Sequence, residues 1–337
     1  MSVTASPSAL SIKDLVALSR QIRRDTFIMA HGAKSGHLGS AFSTVDILAS
    51  LYFAHLDVDP QHPHDPDRDR FILSKGHGCS ALYVTLAKRG FFPVEELKTF
   101  VQEGSRLPGH PSSQMLPGVE ASTGSLGHGL SIAAGIALAG KRDGKKYRSV
   151  VMLSDGECDE GSVWEGVLSA ANWKLGNLTC IVDYNKIQSF GRVSEVMELE
   201  PFADKWKAFR WHVQEVNGHD HKEILAALKE ADAEAERPSV IIAHTVKGKG
   251  VSFMENTVDW HYWTPTDEHL RQAVEEIDAD EEGQTRETKQ TKETRNDISQ
   301  DLVTSDGHSS IAPVPSFAPH QSRNNHPQPP SPFRPRA

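Results

Sequence analysis

Two apolar runs set the terms for this 337-residue chain. SVVML at 149–153 and LTCIVDY at 178–184 are continuous rather than alternating, so both faces of the strands they form must be covered. The segment between them, EGSVWEGVLSAANWKLG, reads as a helix, and a helix joining two strands is the crossover that makes them parallel. A parallel sheet buried on both sides implies an α/β fold of three layers, α/β/α. The other segments agree. Ser11 can cap a helix carrying Ile12, Leu15, Leu18 and Ile22, with Asp14 in its first turn. The loop HGAKSGHLGS leads to a second helix around DILASLYFAHL. FILS then reads as a strand, KGHG as a turn and Cys79 to Lys88 as a helix, and STGSLGHG opens another helix.

Near residue 280 the periodic apolar segments give way to EEGQTRETKQTKETRND and then to a Pro-, Ser-, His- and Asn-rich end. Residues 281–337 hold too little apolar content to offset their ordering entropy and read as a disordered tail, which leaves residues 1–280 as one domain without internal repeats. A net charge of −9 offers no basic field for nucleic acid or an anionic membrane, and no apolar run approaches the roughly 20 residues that span a bilayer. The N-terminus shows no secretory signal. Cys79, Cys158 and Cys180 form neither a CxxC motif nor an even set, so a reducing cytoplasm is expected.

LSDGECDEGS at 153–162 places Asp155, Glu157, Asp159 and Glu160 directly after the first strand. It is not an EF-hand: counted from Asp155, position six is Glu160 and position twelve is Gly166, where glycine and a bidentate glutamate are required. Glu157 and Asp159 read as solvated carboxylates at a helix start. Asp155 differs, because Asn185 follows the second strand thirty residues later. A right-handed crossover puts both oxygen ligands on the same sheet edge, where open α/β sheets bind ligands. A small hard cation such as Mg²⁺, which takes few protein groups and leaves the rest to phosphate and water, suits that place. Gly156 lets the chain turn sharply, so that the next backbone N–H groups can face an anion. Four histidines also lie in loops beside glycine or aromatic residues: His37 in KSGHLGS, His77 in SKGHGCS, His110 in LPGHPSS and His261 in DWHYW. His31, His128, His212 and His219 read as surface or packed histidines, and no HExxH or His/Cys cluster supports zinc.

The series SGHLGSAFS, ILSKGHGCSALY, GHPS, STGSLGHGLSIAAGIALA, SDGECDEGSVWEG, YNKI, VKGKGVSFMEN and DWH resembles the thiamine-diphosphate-binding half of transketolase over residues 10 to 275. The resemblance implies the PP-type thiamine-diphosphate fold. It implies Asp155, Asn185 and the Ile187 carbonyl as ligands of Mg²⁺, or of Ca²⁺ or Mn²⁺ in its place. It implies Gly156, Asn185, His77 and His261 as contacts to the cofactor's diphosphate end, and Gly124 and Leu126 beside its aminopyrimidine. His37, His110 and His261 would line the channel of a ketose phosphate, and Glu160 would face a subunit interface. The activity implied is transfer of a two-carbon ketol unit to an aldose. SKGHG, GHPS and DWH argue against a 2-oxoacid dehydrogenase alpha-type chain, and the intact motifs argue against a non-catalytic assembly subunit. Two departures stand out: Tyr184 replaces the usual Asp or Asn before Asn185, and Tyr262 replaces a glycine after His261. The chain is also half the length of an ordinary transketolase, so a separately encoded C-terminal subunit is expected to supply the glutamate that serves the aminopyrimidine. An α2β2 assembly, or a homodimer of PP domains, would reproduce the family's two-fold arrangement.

Overall fold

The computed structural model describes residues 9–279. Among these residues five strands form one sheet: β1 (Arg70–Leu73), β2 (Ser149–Ser154), β3 (Leu178–Tyr184), β4 (His212–Asn217) and β5 (Ser239–His244), in the spatial order β1-β2-β3-β5-β4. Every pairing is parallel. The helices are α1 (Ile12–Ala33), α2 (Leu38–Phe42), α3 (Val45–Ser50), α4 (Cys79–Arg89), α5 (Gly129–Arg142), α6 (Gly161–Asn172), α7 (Val193–Val196), α8 (Phe202–Ala208) and α9 (His221–Ala233). A further helix covers 267–279.

Each strand feeds both cores because successive side chains point to opposite faces. Phe71, Leu73, Val150, Met152, Ile181 and Ile241 pack under α1, α3, α4 and α9. Ile72, Val151, Leu153, Cys180, Val182 and Ile242 pack under α5, α6 and α8. β2 and β3 are buried at every residue, as two-sided coverage requires. A smaller core joins Phe27, Leu38, Phe42, Met254, Trp260 and Ile277, and anchors the 251–261 segment against α1.

The strand expected at 178–184 and the Ser11 cap agree with the structure, where Ser11 Oγ accepts from Asp14 N at 3.2 Å. The helix expected around DILASLYFAHL is instead broken into α3 and a π-helical turn over Leu51–His55, preceded by the separate α2. β4 and β5 have no counterpart in the sequence reading. β4 is an edge strand and pairs only with β5, so its sequence HVQEVN needs few apolar residues. The expected tail at 281–337 lies outside the described residues.

Trp206 on α8 is fully buried and stacks edge-on against Trp211, at 5.1 Å between ring centroids, and against Phe202 at 6.1 Å. Trp206→Ala should lower unfolding stability by about 3–5 kcal/mol, as chemical denaturation would show.

Candidate cofactor and metal site

The carboxyl ends of β1, β2, β3 and β5 meet at one edge, and Asp183, near the end of β3, binds them together. Its carboxylate accepts from Lys75 Nζ, Thr245 Oγ1, Ser43 Oγ (2.7 Å) and Asn185 Nδ2 (3.1 Å). Lys75 and Asp183 are both fully buried. Burial would raise the Asp183 pKa, but Lys75 beside it and these donors hold the carboxyl below its ordinary range.

Asp155 continues the β2 ladder, with its N–H on Asp183 O at 3.3 Å. Its carboxylate accepts Gly156 N–H at 2.7 Å and Lys186 N–H at 2.5 Å. Burial, and next the charge of Asp183, push the Asp155 carboxyl up to about 6. Asn185 Oδ1 accepts Ile187 N–H at 3.1 Å, and Lys186 between them is left-handed, with φ of 68°. That conformation costs a side-chain-bearing residue about 1–2 kcal/mol, and with the Lys186 N–H on Asp155 it keeps Asn185 and Ile187 in the same wall as that carboxylate. Lys247, also fully buried, donates at 3.1 Å each to Ile187 O, Gln188 O and His261 Nδ1. Burial and then Lys75 bring its ammonium down to about 8.

A cavity of about 190 Å³ opens here. It is lined by His37, Ser40, His77, Gly124, Leu126, Ser154, Asp155, Gly156, Asn185, Ile187, Gln188, Ser189, His261 and Tyr262. Nine of the eleven residues singled out from the sequence are in this wall. The imidazoles of His77 and His261 stand 5.3 Å apart, and that of His37 lies 5.4 Å from His77 and 5.1 Å from His261. Burial first, then neighbouring cations and imidazoles, pushes all three down, His261 to about 3, so the rings are neutral. Ser40 Oγ holds His77 Nε2 at 2.9 Å. His110 is exposed at the rim, 6.4 Å from His37, and packs on Gly124. Gly124, at φ 142°, has no room for a Cβ, which would lie 2.8 Å from His110 Cδ2. Gly76 is equally constrained, since a Cβ there would fall 2.7 Å from the Thr123 carbonyl carbon. Glu160 is exposed as the residue before α6 and does not line the cavity.

Two sequence expectations change. Glu157 is not a solvated helix-start carboxylate; it is fully buried and accepts from Ser74 Oγ, Gly127 N (2.9 Å) and Ser154 N (3.3 Å). It ties the end of β1 to the approach to α5, and burial raises its carboxyl pKa against these bonds. Asp159 is half-buried and accepts from Gln188 Nε2 at 2.7 Å, so it too is partnered. The backbone N–H groups after β2 also have internal partners, Gly156 on Asp155 Oδ1 and Glu157 on Ser154 Oγ at 3.2 Å. Lys75, Asp183, Lys247 and Ser40 escaped the sequence reading. A charged residue inside the continuous run LTCIVDY was the one available signal, because a buried charge needs a partner.

The donors suit a divalent cation carrying a diphosphate. Asp155 is a buried carboxylate without a cationic side chain bonded to it, and a cation at its oxygens would relieve the burial that raises its pKa. No group of three or more His, Cys, Asp or Glu among the described residues is placed to hold a metal ion, and the groups beside Asp155 in the cavity wall, Asn185 and Ile187, offer amide and carbonyl oxygens. His37 Nδ1 is buried without a hydrogen-bond partner, beside the same space.

A parallel sheet whose carboxyl edge gathers oxygen donors, neutral imidazoles and glycine-lined walls defines a diphosphate-binding α/β domain. Residues 13–299 match the family described as transketolase, thiamine diphosphate binding domain, and the chain belongs to that family. It is 41% identical over 268 residues to an apulose-4-phosphate transketolase subunit of Phocaeicola vulgatus, covering 80% of this chain and 95% of that protein. It is 43% identical over 243 residues to the 6-deoxy-6-sulfo-D-fructose transketolase subunit SqwG of a Clostridium species, covering 72% and 88%. The crystal structure of transketolase from Campylobacter jejuni superposes with a TM-score of 0.75 at 32% identity, covering 80% of this chain and 43% of that one. The chain thus spans less than half the length of that transketolase. Family and fold bear out the expected thiamine-diphosphate-binding α/β architecture and the cofactor class.

Lys75→Met would leave Asp183 charged, buried and short of its cation. Unfolding free energy should fall by about 3–5 kcal/mol in urea titration.

Proposed function

We propose that this chain is the cofactor-holding N-terminal subunit of a two-subunit transketolase, which transfers a two-carbon ketol unit from a ketose phosphate to an aldose acceptor. The observation that carries this reading is the convergence of Asp155, Asn185 and Ile187 with three neutral imidazoles on one cavity at the sheet's carboxyl edge. Asp155 Oδ, Asn185 Oδ1 and Ile187 O would hold Mg²⁺, or Ca²⁺ or Mn²⁺, beside the diphosphate. Gly156, His77 and His261 line the same wall towards that anion, and Gly124 and Leu126 would flank the aminopyrimidine. When bound, thiamine diphosphate supplies the carbanion-stabilising chemistry. His37 and His261 inside the cavity and His110 at its rim would hold sugar hydroxyls, His261 as a donor through Nε2 because its Nδ1 accepts from Lys247.

The partner reading is supported by the relatives' naming as transketolase subunits and by the fraction of a full-length transketolase that this chain covers. A separately encoded C-terminal subunit would supply the glutamate facing the aminopyrimidine. Tyr262 of the cavity wall is exposed, as are Phe190 and Trp263 next to wall residues in the chain, and that subunit would cover them, while a second copy of this chain would cover Ile132 on α5 and Leu168 on α6. Glu160, exposed ahead of α6, would sit at such an interface in an α2β2 assembly. Cys79, Cys158 and Cys180 are free and buried, which accords with a cytoplasmic location. No helix among the described residues is long and apolar enough to cross a membrane.

Asp155→Ala should abolish Mg²⁺-dependent binding of thiamine diphosphate in calorimetric titration, as chelation of the cation should in the parent; undiminished binding in the variant would reject the metal assignment. Mixed with its C-terminal partner, the chain should co-purify and transfer ketol units within a panel of ketose phosphates. A reconstituted pair that binds cofactor but transfers nothing would overturn the catalytic reading in favour of a non-catalytic subunit.

A further inference from the structure

We propose that His219, in the loop between β4 and α9, is a positioning residue that holds Lys247 against the Ile187 and Gln188 carbonyls by fixing the Val246 backbone. The proposal deepens the cofactor reading above and rests on it for the purpose that Lys247 serves. Val246 N donates to His219 Nε2 at 2.9 Å, and a backbone N–H can only donate, so Nε2 carries a lone pair. His219 Nδ1 lies 2.7 Å from Asp46 Oδ2 and carries the hydrogen that this carboxylate accepts. Asp46 is buried in α3 and paired with Arg23 of α1 through both of its oxygens. Opposite burial, which would raise it, Arg23 and then His219 keep the Asp46 carboxyl far below its ordinary range. The Asp46 carboxylate, which accepts from Arg23 on one side and from His219 on the other, therefore selects with the Val246 N–H the neutral Nδ1–H tautomer. His221, at the start of α9, is turned to Ser50 Oγ at 2.8 Å and Ser19 Oγ at 3.3 Å, so it does not replace His219 on Val246.

Val246 immediately precedes Lys247, whose three ammonium hydrogens meet Ile187 O, Gln188 O and His261 Nδ1. On either side, Thr245 N bonds Tyr184 O at 3.2 Å and Gly248 N bonds Gly39 O at 2.9 Å. The imidazole fixes the peptide plane between those two anchors. Loss of the acceptor would leave the Val246 N–H unsatisfied and let that plane turn, which moves the lysine stem and the carbonyl ligand it holds.

The test uses the full chain as parent, His219→Ala and His219→Gln, the last with a side-chain oxygen near the Nε2 position. Imidazole ¹⁵N spectra of the parent should show His219 as the Nδ1–H tautomer. In His219→Ala, amide exchange at Val246 should accelerate by about tenfold, and thiamine diphosphate with Mg²⁺ should bind about tenfold more weakly in calorimetry, the effect of one lost hydrogen bond. His219→Gln should recover most of both. An Nε2–H tautomer in the parent, unchanged exchange at Val246 in His219→Ala, or weaker binding without faster exchange would overturn the proposal. If His219→Ala does not fold, the parent tautomer and His219→Gln exchange decide it. A parent that binds no thiamine diphosphate would defeat the cofactor reading instead, while the tautomer and exchange data would still judge the link from His219 to Val246.

Discussion

The site hangs on one buried carboxylate. Asp183 sits near the end of the central strand, where three segments distant in sequence converge and each sends it a donor, Ser43 after α2, Lys75 after β1 and Thr245 after β5, with Asn185, just beyond β3, adding a fourth. A carboxylate in so dry a place costs several kcal/mol unless it is paired and hydrogen-bonded. Its partners therefore cannot wander, and the loops that carry His37, His77 and Lys247 inherit their positions from it. The same charge raises Asp155 next door, which leaves one carboxylate satisfied by the protein and its neighbour suited to a cation.

A second buried carboxylate works on the adjoining wall. Glu157 gathers Ser74 and the Gly127 and Ser154 N–H groups, so the turn after β1 and the approach to α5 are fixed from inside the sheet edge. The acidic run 155–160 thus divides by environment: Asp155 faces the cavity, Glu157 is an internal strut, Asp159 holds Gln188, and Glu160 points to solvent. Identical side-chain chemistry at neighbouring positions takes different roles because backbone direction changes at each step of a tight turn.

Much of this was legible in the chain itself. Continuous apolar runs gave β2, β3 and the crossover between them, and from these the edge that Asp155 and Asn185 share. The glycine-flanked histidines His37 and His77 pointed to loops that meet at one cavity, because glycine lets a backbone pass close to such a space. Sequence could not show that Lys75 and Lys247 are interior, since lysine next to glycine in a polar loop looks solvated, and Asp183 and Ile187, to which they donate, lie 108 and 60 residues away. β4 stayed hidden because an edge strand is covered on fewer sides, and His219 because its partners Asp46 and Val246 are far from it along the chain.

The bond from Lys247 to His261 also settles how that ring meets a ligand. An ammonium has hydrogens and no lone pair, so Nδ1 of His261 must be the bare nitrogen, and the proton of the neutral ring resides on Nε2. His261 therefore greets whatever enters the cavity with a hydrogen. It is matched to an oxygen bearing lone pairs, such as a phosphate or carbonyl oxygen, and for it to accept a proton from a hydroxyl the lysine would first have to let go.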